Sequence, residues 1–176
     1  MARILDAAGA LFIEKGVDGA TMTEIASRSG TAIGSLYRFF PTKESLSLTL
    51  LERFIHDRLA QLDEICAEAK SGESEAVADQ LLGVWLARRE ERDYTTLLLA
   101  ARPDAEQSGQ AWREQFLARV VAVLQKTCPQ ARETAAARGM VLLHVLKLAP
   151  QLVKGEGQEA VEAEIRKLVL SLVRAS

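Results

Sequence analysis

Apolar residues recur every three or four positions along almost the whole chain, which is the period of an amphipathic α-helix. Glycines and prolines separate these stretches, and the strict alternation typical of a half-buried strand is not found. The pattern therefore predicts an all-α fold of about nine helices. They are expected at about 2–15, 22–29, 32–40, 43–69, 73–91, 94–101, 108–127, 129–149 and 158–174.

Residues 21–43, TMTEIASRSGTAIGSLYRFFPTK, predict two short helices joined by a tight turn and followed by a long third helix. Thr21 and Glu24 have the spacing of a capping box, which starts a helix at the next residue. Gly30 supplies the turn because glycine readily adopts a positive φ, and Thr31 is expected to cap the second helix. This is the arrangement of a helix-turn-helix.

The second of these short helices is predicted to have two different sides. Its inner side carries three apolar residues at helical spacing, Leu36, Phe39 and Phe40. Its outer side carries an aliphatic group, a glycine, a phenol and a guanidinium, from Ile33, Gly34, Tyr37 and Arg38. A plain helical hairpin inside a bundle would show the same spacing. The outward Tyr37 and Arg38, with Lys43 just beyond, favour a surface that binds DNA phosphates.

An ordered set of short motifs, ILDAA, LFxEKG, TxxxIA and GSLYxxFxxKExL, runs through residues 3–50. In these motifs the segment resembles the DNA-binding domain of the TetR/AcrR family of bacterial transcriptional regulators. The resemblance implies a three-helix helix-turn-helix domain at 1–48 and a larger helical domain for effector binding and dimerisation at 49–176. It also implies a ligand-responsive repressor that binds a near-palindromic double-stranded DNA operator as a homodimer, without a cofactor.

The resemblance further indicates which side chains meet DNA. The expected DNA-binding residues are Thr21, Thr23, Ile33, Gly34, Ser35, Tyr37, Arg38 and Lys43. Phe39 stands where the family often has histidine, and Ile33 stands where a polar base reader is frequent. Because isoleucine forms no bidentate hydrogen bond with a base, Arg38 is the best candidate for a guanine contact, although it can equally bind phosphate.

The charge balance is unusual for a DNA-binding protein. The 176 residues carry a net charge of −2, with 48% apolar and 26% charged residues. Residues 20–43 nevertheless hold three basic residues against one acidic residue. Only Arg3 remains of the basic arm that often precedes the family's first helix, which indicates a trimmed start or weak DNA binding. The alternative function is therefore a helical dimeric ligand-binding or interaction protein whose DNA binding is weak or lost.

The last two predicted helices favour self-association. The helix at 158–174 carries a narrow apolar stripe, and the preceding helix is apolar on all sides between Met140 and Leu148. A helix that is apolar all round must be buried all round, either within one subunit or against a second copy. The residues expected at a dimer interface are Met140, Leu143, His144, Val161, Ile165, Leu168 and Leu172.

An effector pocket is expected between the helices of the second domain, as the resemblance implies. Its candidate residues are mostly aromatic: Phe54, His56, Trp85, Tyr94, Trp112 and Phe116. Aromatic residues at helical spacing are more often plain core. If they do line a pocket, the effector is apolar or amphipathic.

Other classes of site find no support in the sequence. No catalytic or nucleotide-binding motif is found, so no enzyme activity is expected. The two histidines have no metal-ligand spacing, and Cys66 and Cys128 are expected to be reduced and mostly buried. No apolar run reaches the length of about 20 residues that spans a membrane, and no signal peptide is recognised, so a cytoplasmic location is expected.

Overall fold

The computed structural model describes residues 1–87 and 105–174, and within these ranges it confirms the all-α prediction. Eight α-helices and one 3-10 helix, without a strand, form this described part of the chain. The further helix predicted at 94–101 lies outside the described residues. The α-helices are α1 (Ala2–Gly19), α2 (Met22–Ser29), α3 (Ile33–Phe39), α4 (Lys43–Glu68), α5 (Ser74–Leu86), α6 (Ala105–Thr127), α7 (Ala135–Leu152) and α8 (Gln158–Arg174), and the 3-10 helix is Pro129–Thr134.

The described residues form two compact units, one of residues 1–56 and the other of residues 57–87 and 106–174. Helix α4 contributes to both units, because the division falls between its residues 56 and 57. The boundary proposed from the sequence, between residues 48 and 49, also falls inside α4.

The first unit packs α1, α2, α3 and the beginning of α4 around an apolar core. The buried residues include Ile4, Ala8, Leu11, Phe12, Ile25, Leu36, Leu46 and Leu50. Helix α1 passes close to α4 at Gly9, where an added Cβ would stand 3.6 Å from Phe54 Cζ and 3.7 Å from Leu50 Cδ2. Since this core holds one side of α2 and one side of α3, it decides which sides of both helices face outward.

The end of α1 is tied to the beginning of α4. Gly16 interrupts α1 with φ 73°, a left-handed conformation that favours glycine. Beyond this break, the Lys43 ammonium donates to the carbonyl oxygens of Asp18 at 3.2 Å and Ala20 at 3.0 Å. Carbonyl groups near a helix end have no partner within the helix, and a lysine side chain can satisfy them. Lys43 therefore has a structural contact in addition to its predicted role.

The second unit is a bundle in which α5 packs against α7 and α8, and α7 packs against α8. Trp85 of α5 and Phe116 of α6 meet edge to face in its core, with ring centroids 6.1 Å apart and an interplanar angle of 62°. Helices α6 and α7 approach each other closely at Gly139, where an added Cβ would stand only 2.7 Å from Val121 Cγ2. The absence of a side chain at Gly139 thus sets the spacing of these two helices.

Two long basic side chains satisfy carbonyl groups near other helix ends of the second unit. Lys126 Nζ donates to the carbonyl oxygens of Cys66 at 2.7 Å and Ala67 at 2.9 Å, close to the end of α4. Arg138 donates to the carbonyl oxygen of Leu172 at 2.9 Å, near the end of α8. Cations are favoured at helix C-termini, so both contacts stabilise the ends they reach.

We expect Gly139→Ala to destabilise the protein by about 1–3 kcal/mol, because a methyl group at this crossing overlaps the stiff Val121 side chain. Gly83→Ala is the matched control, since Gly83 lies in α5 with nothing within 4 Å of an added Cβ. That substitution is expected to stabilise by about 0.4–1 kcal/mol. Urea unfolding followed by circular dichroism measures both changes. Equal effects of the two substitutions would show that the absence of a side chain at position 139 does not set the distance between α6 and α7.

Candidate functional site

Helix α2 begins and ends as the sequence predicts. The Glu24 backbone N–H donates to Thr21 Oγ1 at 3.2 Å, and the Thr21 N–H donates to Glu24 Oε2 at 3.0 Å, which completes the capping box. Gly30 adopts the left-handed conformation with φ 64°, and the Thr31 N–H after it donates to the Ala26 carbonyl oxygen at 2.9 Å. The prediction that Thr31 caps α3 is wrong, because the N-cap of α3 is the next residue and makes no side-chain hydrogen bond.

The outer surface of α3 matches the prediction at four positions. Leu36 is fully buried on the inner side, while the outer side exposes Ile33, Gly34, Tyr37 and Arg38. The exposed fractions of Ile33 and Tyr37 are 42% and 48%, which is high for large apolar and aromatic residues. Ser35 is half-buried. The helix therefore presents an aliphatic, an aromatic and a cationic group to solvent together.

Phe39 departs from its predicted inner position. Its exposed fraction is 49%, whereas Phe40 is buried. The chain leaves the helix at Phe40, whose φ is −134°, and this change of direction turns Phe40 into the core. Leu36 and Phe40 together fill the inner side, so Phe39 stays outside. The prediction applied helical spacing through residue 40, which is one residue beyond the end of α3.

The exposed Phe39 ring lies beside Arg38. The Arg38 guanidinium carbon is 5.3 Å from the ring centroid, which is within the range of a cation–π interaction. Among the described residues, no carboxylate forms an ion pair with Arg38. Arg28, in contrast, pairs with Glu14 at 2.7 Å, and Lys15 pairs with Glu24 at 2.6 Å. The Arg38 charge is thus available to a ligand, unlike the charges of Arg28 and Lys15.

The two predicted threonines differ in the hydrogen-bonding groups that remain free for a ligand. The Thr21 hydroxyl donates to Glu24 Oε2 at 3.0 Å and also accepts from the Glu24 N–H. Thr23 lies two residues inside α2, and its side chain is exposed. Its backbone N–H is among the first four of the helix, which have no partner within the helix. Thr23 is accordingly better placed than Thr21 to donate to a phosphate at the start of α2.

Lys43 stands at the first position of α4 and is half-buried. Two of its three donors are directed at α1, at the carbonyl oxygens of Asp18 and Ala20. One ammonium N–H and the positive end of the α4 dipole remain for an anion.

The Glu24 carboxylate carries a full charge at the beginning of α2. The Lys15 ammonium, which donates to it, and hydrogen bonds from the Thr21 N–H and hydroxyl together lower the pKa of Glu24 to about 2. The carboxylate is therefore ionised throughout the physiological range, where it also favours the positive end of the α2 dipole.

Glu24 gives the first unit a specific acid sensitivity. Because the folded-state pKa lies below the unfolded one, its contribution to stability is complete above about pH 4.5 and is lost as the pH falls towards 2. Glu24→Gln keeps a side chain that suits the capping box but cannot ionise. The difference in melting temperature between wild type and Glu24→Gln should be largest above pH 4.5 and vanish near pH 2. A difference that stays constant with pH would contradict this account.

The predicted pocket residues do not form one group. Phe54 packs against Gly9 in the first unit, and His56 is exposed. Trp85 and Phe116 contact each other in the core of the second unit, where their exposed fractions are 2% and 8%. Trp112 is half-buried, and Tyr94 lies outside the described residues. The core alternative thus accounts for Trp85 and Phe116.

The predicted interface residues fall into two groups. Leu143 and Ile165 are buried inside their own unit, with exposed fractions of 1% and 8%, so they do not form its outer surface. His144 is exposed and hydrogen-bonds its own helix through Nδ1 and the Met140 carbonyl oxygen at 2.7 Å. Leu172 is half-buried. The remaining predicted residues are exposed apolar groups, Met140, Val161 and Leu168.

Three further apolar residues on α7 are exposed and were missed by the sequence analysis, Val141, Leu148 and Leu152. Their exposed fractions are 50–56%. Leu152 was missed because the helix was expected to stop at Ala149, whereas α7 continues through Pro150. We call the six exposed residues on α7 and α8 the apolar face: Met140, Val141, Leu148, Leu152, Val161 and Leu168.

The described residues contain no group of histidine, cysteine, aspartate and glutamate that would hold a metal ion. Cys66 is half-buried and Cys128 is buried, and both are free thiols, as expected. No helix in the described ranges has the length and apolar character needed to cross a membrane.

The helix-turn-helix segment is similar to known proteins. Residues 4–50 match the family described as bacterial regulatory proteins, tetR family. The chain is 39% identical over 64 residues to the HTH-type transcriptional repressor KstR2 of Rhodococcus jostii (strain RHA1). That match covers 36% of this chain and 31% of the relative, so it spans less than half of the relative's length.

Two solved structures share the whole fold at low sequence identity. The TetR-family transcriptional regulator SCO4454 of Streptomyces coelicolor has a TM-score of 0.75 at 18% identity, covering 98% of this chain and 93% of the other. The transcriptional regulator FadR of Bacillus subtilis, in complex with stearoyl-CoA, has a TM-score of 0.70 at 14% identity, covering 97% of both chains. These similarities extend the fold assignment from the N-terminal segment to the rest of the chain.

Proposed function

Because residues 4–50 place this chain in the TetR family of bacterial regulatory proteins, we propose that it is a ligand-responsive transcriptional repressor that binds DNA as a homodimer. The observation that carries the proposal is the outer surface of α3. It exposes Ile33, Gly34, Tyr37 and Arg38. The preceding helix α2 is capped at both ends.

In this proposal α3 enters the major groove of DNA. Ile33 can contact a thymine methyl group, and Arg38 can donate two hydrogen bonds to guanine. Gly34 leaves room for a close approach, since nothing lies within 4 Å of where its Cβ would be. Thr23, Tyr37 and Lys43 would hold phosphates around the groove, because hydroxyl groups, ammonium groups and helix N-termini favour such contacts.

The dimer is proposed to form through the apolar face. Several large apolar residues exposed together on neighbouring helices are unusual for a monomer and are typical of an interaction surface. A twofold axis would bring α7 and α8 of two subunits together as four helices, with each face buried by its counterpart. The two copies of α3 would then reach half-sites about 34–36 Å apart on a near-palindromic operator.

The effector is proposed to bind in the second unit. Since Trp85 and Phe116 are core residues, the half-buried Trp112 is the better pocket candidate on α6. Stearoyl-CoA, which is bound by the similarly folded B. subtilis regulator, is an amphipathic molecule, and this agrees with an apolar or amphipathic effector here. Helix α4, shared by both units, is the element whose position the effector would bias.

The experiment that tests the proposal is a salt titration of binding to the DNA upstream of the protein's own gene. A specific complex should weaken linearly in a plot of log affinity against log salt, with a slope of roughly −0.9 for each phosphate contact. Random DNA of the same length is the control. If no sequence is bound more tightly than random DNA, the repressor proposal is wrong.

A second candidate function is a dimeric ligand-binding or interaction protein without specific DNA binding. It is favoured by the pairing of Arg28 with Glu14 and of Lys15 with Glu24, which neutralises two cations of the first unit. A protein that is dimeric and binds a ligand, but discriminates no DNA sequence in the titration, would fit this candidate instead.

A further inference from the structure

Phe39 is a large aromatic residue that the fold leaves partly outside. Its exposed fraction is 49%, whereas its neighbour Phe40 is buried. Leu36 and Phe40 fill the inner side of α3, so the exposed part of the Phe39 ring lies at the surface of the first unit. There it contacts another surface residue, Arg38.

The contact gives the Arg38 side chain a direction. Its guanidinium carbon lies over the Phe39 ring, 5.3 Å from the centroid, within the range of about 6 Å over which a cation is attracted to a ring face. Successive residues of a helix point about 100° apart, so their side chains do not ordinarily meet. The stem of Arg38 therefore bends towards the flank of α3 on which Phe39 lies.

Arg38 starts from the middle of the outer side of α3. At about 100° for each residue, it lies about 160° around the helix from the buried Leu36. Gly34, one turn earlier, lies close to the same line and has nothing within 4 Å of where its Cβ would be. Tyr37 lies on the flank opposite Phe39. The guanidinium held by Phe39 thus stands beside a gap that DNA can approach closely.

A ring can position an arginine without using its hydrogen-bond donors. The guanidinium has five N–H donors, and a cation–π contact engages its charge rather than a particular donor. Arg28 shows the other arrangement, since its Nη1 donates to the Glu14 carboxylate at 2.7 Å. Arg38 has no carboxylate partner within residues 1–87 and 105–174. Its charge and its donors both remain for DNA.

We propose that Phe39 is a positioning residue for the contact that Arg38 makes with DNA. The inference rests on the proposed function, because it requires α3 to face DNA. The ring restricts the rotamers of Arg38 before binding, so less side-chain entropy is lost when the guanidinium meets its DNA group. This holds for a guanine edge and for a phosphate alike, because the fork of donors fits both.

The first test observes the contact in the protein without DNA, by nuclear magnetic resonance. Arg38 protons that lie over the Phe39 ring should be shifted upfield by the ring current, and Arg38→Ala assigns the Nε–H signal by removing it. Phe39→Leu should abolish the upfield shift, while Phe39→Tyr, which keeps a ring, should retain it. An Arg38 signal that is the same in the wild type and in Phe39→Leu would overturn the proposal.

The second test is a double-mutant cycle on operator binding. Phe39→Leu should lower the affinity by about 3- to 10-fold for each half-site, and Phe39→Tyr should recover most of that loss. In the Arg38→Ala background, Phe39→Leu should have no further effect, because the ring acts only through the guanidinium. Losses that multiply in the double variant would show that the ring contacts DNA by itself, and would overturn the proposal.

Competition among single-base variants of the operator adds a readout that a merely structural role would not change. Phe39→Leu should reproduce the pattern of Arg38→Ala in smaller measure. The same base pair loses preference if Arg38 reads a guanine, and all variants weaken alike if it holds a phosphate. A pattern that differs from that of Arg38→Ala would overturn the proposal.

The outcomes separate this inference from the function on which it rests. If no sequence is bound more tightly than random DNA, the repressor function is wrong, and the role of Phe39 is wrong with it. Specific binding combined with multiplying losses, or with an unchanged Arg38 signal in Phe39→Leu, would remove the role of Phe39 alone and leave the repressor function standing.

Discussion

Leu168→Glu is expected to prevent the proposed dimer from forming and to lower affinity for the proposed operator by about 100-fold or more, because a bivalent complex gains that much from its second half-site. Leu168 has an exposed fraction of 47% and lies in the apolar face of α8. A glutamate at this position would be buried without a partner on both sides of a twofold interface, which is strongly unfavourable. Light scattering and operator binding measure the two consequences.

Ala163→Glu is the matched control for this prediction. It adds the same charge to the same helix, at an exposed position that points away from the apolar face. The control should remain dimeric and bind the operator as the wild type does. A dimeric Leu168→Glu protein would mean that the copies associate through another surface.

Arg38→Ala and Tyr37→Ala are expected to weaken DNA binding by about 1–3 kcal/mol each, but in different ways. If Tyr37 holds a phosphate, its loss weakens binding to all sequences alike. If Arg38 reads a guanine, its loss also relaxes the preference at one base pair. Competition between the operator and its single-base variants measures the difference. Both side chains are exposed, so the melting temperature should hardly change.

Tyr37→Phe is the control that isolates the phenol hydroxyl, because it keeps the ring. It should weaken binding if the hydroxyl donates to a phosphate, and it should match the wild type if only the ring is used. An Arg38→Ala protein that loses affinity equally for every operator variant would show that Arg38 contacts phosphate rather than a base.

The helix-turn-helix could be predicted well because its signals are local. A threonine and a glutamate three residues apart fix the start of α2, and Gly30 fixes its end, without information from elsewhere in the chain. Phe39 was misplaced because the inner side of α3 depends on where the helix stops. That point is decided by the turn of Phe40 into the core, which is a tertiary effect.

The second unit was predicted less completely because its important contacts are distant in sequence. Helix α7 is apolar on all sides, so its sequence alone did not separate the buried Leu143 from the exposed Leu148. The close approach of α6 and α7 at Gly139 also depends on how the two helices pack. No periodic pattern within one helix contains that information.

Lysine ammonium groups form hydrogen bonds near both ends of helix α4. Lys43, its first residue, is bonded to two carbonyl groups beyond the break in α1, and Lys126 of α6 is bonded to two carbonyl groups near the end of α4. A helix of 26 residues is about 39 Å long. Each end of α4 is therefore bonded to another helix of its own unit, so the loss of Lys126 should increase fraying of the last turn of α4 and leave its first turn unchanged.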